Sequence, residues 1–360
     1  MRYGVVVHGP EAIDQGLAAK VIDLLSNTGE VIACVGGATG IVAAIDAGLE
    51  GAIDISRGEL PSEALRRLET EVDCLVLVNH CKLEETGIAF GRIVALRANI
   101  TKPLVQVDND FVISWNFKGD DLARWISQRL SKRVIVPTKN EKMPSKVRRI
   151  SGVIKGENVW VNGVVIGKAV SDVVELLEGG DGKIQFTGVE VKERALSRLR
   201  IEDLNKAIVR SGTVRRTQKT PRLKPTKKKG VACLIDHDAE KLAHKFKEAS
   251  AIITVGDDTT KTAGGILSRY DVPVIGITDG DEDGICTEKS FAAGSVIFTL
   301  ERGTDDFAGK LIREQLFKDA NEIPFTDLTD LEAKIKKLLE FARIEKVERL
   351  PVTSDRKQNC

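Results

Sequence analysis

The stretch AIITVGDDTTKTAGGILSRYDVPVIGITDGDEDG, residues 251–284, decides the fold class. Its two apolar runs, 251–255 and 272–277, show no polar alternation, so each reads as a strand buried on both faces. Residues 259–270 between them carry helical periodicity. Strand, helix and strand in about 30 residues make the βαβ unit of a parallel sheet. Each run ends in small and acidic residues: Gly256-Asp257-Asp258-Thr259-Thr260 after the first, Thr278-Asp279-Gly280-Asp281-Glu282-Asp283-Gly284 after the second. In an open parallel sheet, residues just past the strand C-termini converge on one edge, where ligands bind. Asp257, Asp258, Asp279, Asp281 and Asp283 are therefore expected on one rim. Asp236 and Asp238, after the apolar run 231–235, join them.

Crowded carboxylates raise one another's pKa unless positive charge lies among them, and a divalent cation is the simplest remedy. Oxygen-only ligands select Mg²⁺ or Mn²⁺, with Ca²⁺ as a further option. The expected metal ligands are Asp236, Asp279, Asp281 and Asp283. Alternate spacing lets the last three face one side of an extended loop, and Gly284 permits a sharp turn. An EF-hand loop is a poorer match. Its twelfth position would be Ser290 where a bidentate Glu is needed, and a strand precedes it rather than a helix. Thr259 and Thr260 open a helix and are candidate phosphate contacts, while Asp258 could simply cap it.

Thr278 to Gly284 resembles the extended Asp-x-Asp motif of Toprim domains, found in topoisomerases, primases and small nucleases. The order strand, helix, strand, helix, strand before it is similar as well. The resemblance implies Mg²⁺-dependent phosphoryl transfer, usually on nucleic acid. The sequence departs from it at Asp236, which stands where the family places a glutamate.

Outward from this stretch, the first block repeats the alternation. Apolar runs at 3–7, 30–35, 73–78 and 103–107 are separated by helical patterns at 13–25, 83–98 and 122–130. Their C-terminal ends place His8, the turn Gly36-Gly37-Ala38-Thr39-Gly40 and His80 on one edge. Gly36, Gly37, Thr39 and Gly40 could hold a phosphate on exposed N–H groups. The turn has neither G-x-G-x-x-G nor Walker A spacing, and a tight strand-to-helix connection is the simpler account of it. His8 and His80 form a possible second site, sharing a metal or serving as acid and base. Between the blocks, short β-rich pieces separated by glycines, with Asn162-Gly163 as a hairpin signal, mark a small β-rich domain.

The expected architecture is α/β: two parallel-sheet domains, Rossmann-like and Toprim-like, separated by the small β-rich domain. Expected limits are 1–137 for the N-terminal α/β domain and 150–209 for the β-rich domain with a trailing helix over 193–209. A basic linker at 210–230, a C-terminal α/β domain at 231–345 and a tail at 346–360 complete the chain.

The 360 residues carry 54 Lys+Arg and 53 Asp+Glu, a net charge of +1. Neutrality conceals segregation: residues 1–130 sum to −6, 131–150 to +6, 151–209 to −1, 210–230 to +9 and 231–360 to −7. With 42% hydrophobic residues, wholesale disorder is excluded. No apolar run approaches the ~18 residues of a membrane span, and no signal peptide is legible. The six cysteines lack Cys-x-x-Cys spacing, which excludes a zinc ribbon and suits a reducing cytoplasm.

The segments VVVHGPEAID, GGATGIVAAIDAGLEG, LEETGIAFGRIV, VWVNGVVIGKA, TVGDDTTKTAGGIL and PVIGITDGDEDGI together resemble an archaeal family of unknown function, known chiefly from methanogens. The likeness implies a cytoplasmic archaeal protein and brings no activity with it. Three functions fit these features. The first is divalent-metal-dependent handling of a phosphorylated or nucleic-acid ligand at the acidic edge. The second is non-catalytic nucleic-acid binding or regulation through 210–230, although no aromatic lies there for base stacking. The third is a place as assembly partner in a larger complex, docked through an amphipathic helix at 327–341.

Overall fold

The computed structural model describes residues 1–350 except 38, 138–146, 151, 163, 180–183, 193–195, 197–198, 200, 202–203, 205–206, 208, 213–214, 218, 237–238 and 281–290. The chain divides into two compact units, 1–219 and 220–360. The protein is mixed α/β, and its two large sheets contain parallel strands.

In the first unit, β1 (Arg2–His8) lies between β2 (Glu30–Gly36) and β4 (Cys74–Val78), parallel to both. The sheet continues through β3 (Ile53–Asp54) beyond β2, and through β5 (Leu104–Val107), β6 (Phe111–Ser114) and β7 (Arg133–Ile135) beyond β4. Only β5 and β6 pair antiparallel. The unalternated apolar runs have the expected cause. Val6, Cys34, Leu75 and Leu77 face α4 (Pro61–Glu69) and α5 (Glu84–Ala98) in one core. Val5, Val7, Val35, Val76 and Val78, between them in sequence, are as deeply buried on the other face. Helices α1 (Pro10–Asp14), α2 (Leu17–Ser26), α3 (Ile41–Asp46) and α6 (Asp120–Leu130) complete this layer.

The same unit holds two small antiparallel sheets. One runs β13 (Val189–Val191), β10 (Val164–Ala169), β9 (Asn158–Val161), β14 (Val209–Ser211); the other runs β12 (Ile184–Thr187), β11 (Val174–Glu178), β8 (Val147–Ile150). They share a core around Val159, Val161, Ile166, Val174 and Leu176. Val161 sits opposite Val164, and Asn162 takes φ +49°, the left-handed conformation of a tight two-residue turn. Most of the helix expected over 193–209 falls outside the described residues, but its end does not. Val209 opens β14, so the chain is a strand there.

In the second unit the order is β19 (Glu322–Pro324), β15 (Val231–Ile235), β16 (Ala251–Val255), β17 (Val274–Thr278), β18 (Val296–Leu300), β20 (Ile344–Arg349). The four central strands are parallel and the two outer ones antiparallel to their neighbours. Helices α7 (Ala239–Lys245) and α8 (Asp257–Ser268) follow β15 and β16. After β18, α9 (Asp305–Leu311) runs into a π-helical turn at Ile312–Phe317, and α10 (Leu328–Leu338) precedes β20. Leu331 and Ile335 of α10, with Leu339 just after it, bury their side chains against Ala308, Ile312 and Phe317 and the sheet. Each is worth ~1.5–3 kcal/mol of apolar burial, so this helix covers its own domain.

Candidate functional site

The first unit's sheet reverses direction at β1. One path of connections steps outward to β2 and β3, the other to β4 and β5. In open α/β sheets such a reversal leaves a crevice between the loops at the strand C-termini. His8 ends β1, and Gly9, at φ +79°, turns the chain into α1. Asn79, His80 and Cys81 follow β4, and Asp108 and Asn109 follow β5. Gly36 ends β2, and Gly37 (φ +92°), Thr39 and Gly40 lead to α3. The two histidines and the glycine turn therefore share one edge. The Gly37 N–H is committed, however: it donates to the Glu59 carbonyl at 2.7 Å.

Beneath this edge runs a buried polar chain. His8 Nδ1 is 2.9 Å from Asn79 Oδ1. Asn79 Nδ2 donates to Asp108 Oδ2 at 2.8 Å. Asp108 is 0% exposed and accepts further bonds from Gln106 Nε2 at 2.9 Å and from the N–H groups of Cys81 and Asn109 at 2.8 and 3.0 Å. Trp115 Nε1 donates to Gln106 Oε1 at 3.1 Å. The donors that meet Asp108 are uncharged, so dipoles alone replace water around it. Two glycines of α5 make the room. A Cβ at Gly87 would lie 2.7 Å from Asp108 Oδ2, and one at Gly91 would overlap Gln106 Oε1.

The His8 ring stacks on Phe90, with centroids 4.1 Å apart and planes 22° apart. Burial lowers its pKa below the usual 6.5; the Asn79 bond opposes this and the charge of Arg210 adds to it. Burial, then the charge of Asp108, pushes the Cys81 thiol up to about 12, so it is no thiolate nucleophile near neutral pH. Two buried atoms on this edge, His80 Nδ1 and Asn109 Oδ1, have no hydrogen-bond partner among the described residues.

The start of the expected basic linker is a strap. At β14 the Arg210 guanidinium lies 4.1 Å from the Trp160 ring centroid. Lys82 Nζ, on the loop after β4, donates to Ser211 O and Oγ at 3.1 and 3.2 Å and pairs with Glu157 at 2.8 Å. Arg215 forms ion pairs of 2.7 Å with both Asp14 and Asp46, whose side chains are 2% and 1% exposed. Burial works against the Arg215 charge, but bonds to these two carboxylates hold its pKa above the usual value. Arg216 pairs with Glu11, and Thr217 Oγ1 donates to Asp14. The strap thus ties down α1 and α3, the helices that follow His8 and the glycine turn. Carboxylates buried on those helices need a cation, so this part of 210–230 is packed against its own unit and is not a linker.

The second unit's rim is acidic as expected, but its carboxylates hold loops. Asp257 Oδ2 accepts the N–H groups of Asp279 and Gly280 at 3.1 and 3.0 Å. Asp279, 5% exposed, accepts the Gly303 N–H. Burial raises the Asp257 pKa against the two N–H bonds, and the charges of Asp279 and Asp258 add to the rise. Asp305 Oδ2, in the first turn of α9, lies 4.0 Å from the Cβ position of Gly256, as does Thr259 Oγ1 at 3.5 Å. Asp236 pairs with Arg313 at 3.4 Å. Thr260 is 1% exposed and its hydroxyl bonds Thr254 at 2.8 Å, which turns it away from any rim ligand. Asp238, Asp281, Asp283 and Gly284 lie outside the described residues. Among the described residues, no group of three or more His, Cys, Asp or Glu side chains is arranged to hold a metal. The strand order β15-β16-β17-β18 also never reverses, so the switch-point rule does not mark this edge. Among the described residues, no helix is long and apolar enough to cross a membrane.

These features define a mixed α/β protein with a polar strand edge at the reversal of its first sheet. The chain belongs to the archaeal family described as "Uncharacterized protein conserved in archaea (DUF2117)", whose profile matches residues 5–320. It is 38% identical over 333 residues to "Uncharacterized protein MJ0065" of Methanocaldococcus jannaschii, covering 88% of this chain and 92% of that protein. No solved structure matches the chain.

Proposed function

We propose that the protein binds a phosphorylated small molecule in the crevice between the loops after β1 and β4. One observation carries this reading: the strand-order reversal coincides with His8, the glycine turn and two buried polar atoms, on His80 and Asn109, that have no hydrogen-bond partner among the described residues. Buried polar groups are normally satisfied, so such atoms favour a polar ligand. A small ligand is favoured over nucleic acid because Arg210, Arg215, Arg216, Lys228 and Lys229 of the basic segment are engaged within the protein. Calorimetric titration of the full chain with inorganic phosphate, pyrophosphate and nucleoside diphosphates tests the reading. Saturable binding is expected for at least one, weakened roughly tenfold or more by His8→Ala, the loss of one hydrogen bond to a charged group. Flat titrations, or binding indifferent to His8→Ala and His80→Ala, would overturn it.

A second reading concerns the second unit. The raised pKa of Asp257, from burial and the charges of Asp279 and Asp258, favours a divalent cation such as Mg²⁺ or Mn²⁺ beside them. Asp281 and Asp283 would supply the further oxygens, as the Toprim likeness implies.

A further inference from the structure

The polar chain under the first unit's edge has only one self-consistent direction. Trp115 Nε1 is a donor and nothing else, so the atom it meets on Gln106 is the carbonyl oxygen. Gln106 Nε2 must then be the group facing the Gly87 carbonyl at 3.0 Å and Asp108 at 2.9 Å. Both are acceptors, which agrees. Asp108 Oδ1 takes two backbone N–H groups, so this carboxylate accepts on every side described. Asn79 therefore presents its amide NH₂ to Asp108 and its carbonyl oxygen to His8. An oxygen facing Nδ1 at 2.9 Å requires that Nδ1 carry the proton. In the neutral ring the lone pair is then on Nε2. Nε2 makes no hydrogen bond among the described residues.

We propose that Asn79 and Asp108 are positioning residues that lock His8 as its Nδ1–H tautomer, so that Nε2 meets the ligand as a hydrogen-bond and proton acceptor. This rests on the crevice being the ligand site. The ligand group set against Nε2 is then a donor: a hydroxyl, or a phosphate oxygen that still carries hydrogen. When the proton moves, the ligand O–H bond breaks, the N–H bond forms on Nε2, and the oxygen keeps the electron pair. The resulting imidazolium still donates through Nδ1 to Asn79, whose dipole is aligned by Asp108. Phe90 fixes the ring plane by stacking, so direction comes from the polar chain and tilt from the aromatic.

The test needs no ligand, so its failure is distinct from failure of the binding reading. In ¹⁵N NMR of the full chain labelled on histidine, with His8 neutral, Nδ1 is expected at a pyrrole-like shift and Nε2 at a pyridine-like one. Free histidine prefers the opposite tautomer. Asn79→Ala removes the carbonyl, and the Nδ1–H form should lose its excess. Asp108→Asn is more telling: with its oxygen kept on the N–H groups of Cys81 and Asn109, an amide at 108 turns NH₂ towards both Gln106 and Asn79. Gln106 is held by Trp115 and can only draw back, whereas Asn79 can rotate and turn its own NH₂ towards His8. The His8 tautomer should then reverse. A purely structural role would leave the tautomer unchanged in any variant that keeps its circular dichroism spectrum, and that result would overturn the proposal. Diethyl pyrocarbonate, which acylates an accessible unprotonated imidazole nitrogen, should modify His8 in the wild-type chain by mass spectrometry. An unmodified His8 would equally overturn it.

Discussion

Burial against Phe90 makes a charged His8 costly, and the cost has a definite sign. In the unfolded chain the group titrates at its ordinary 6.5; in the fold its pKa is lower, chiefly from burial. Above 6.5 both states are neutral and His8 contributes no pH dependence. As pH falls through that value the unfolded state takes up the proton first, so stability is lost until the folded pKa is passed. Urea midpoints between pH 7.5 and 5.5 should therefore fall more steeply for the wild type than for His8→Gln. Parallel slopes would contradict the assignment. Carboxylates held below their usual values, such as Glu69 with bonds from Thr101, lose stability in a separate, lower window. At this scale the sequence discloses His8 and His80, because strand ends and imidazoles are both legible. It does not disclose that Gln106 matters. An amide inside LVQV looks like any strand residue until Trp115, Gly87 and Asp108 arrive from distant elements.

At the scale of elements, the strap at 215–217 is the feature that local pattern misleads about. A run with two prolines, nine cations and no acid reads as solvated chain, because its counter-charges are about 200 residues earlier, beyond any local pattern. Asp14 and Asp46 in turn look like ordinary polar ends of short helices. Arg215→Met would strand two buried carboxylates, and breaking such a cluster costs about 3–5 kcal/mol. Chemical denaturation should show that loss, and the triple change Asp14→Asn, Asp46→Asn, Arg215→Met should recover much of it. A loss under about 1 kcal/mol would mean the carboxylates simply rehydrate. The longer parallel strands and their helices were readable because buried runs and 3.6 periodicity are local, but the two-residue parallel strand β3 was not. The antiparallel additions β6, β19 and β20 were not, since only pairing makes strands of such short or exposed segments.

Across the whole molecule, the two sheets look alike in sequence and differ in what their edges can do. Apolar runs followed by polar turns predict both rims equally well. Only strand order separates them: among the parallel strands it reverses in the first unit and runs straight through from β15 to β18 in the second. A cation, if the second rim takes one, is therefore held by charge density rather than by a crevice. That separates the two readings experimentally. Calorimetry with Mn²⁺ and Mg²⁺ should give saturable binding to the full chain, weakened about tenfold or more, roughly 1.4 kcal/mol, by Asp257→Asn or Asp279→Asn. Each amide retains a carbonyl to accept the loop N–H groups that Asp257 and Asp279 now hold, so the fold should survive. Phosphate-ligand binding at the first unit should be unchanged in these variants, and metal binding unchanged in His8→Ala. A flat metal isotherm at millimolar concentration, or one indifferent to both aspartate changes, would leave the rim carboxylates as loop anchors and nothing more.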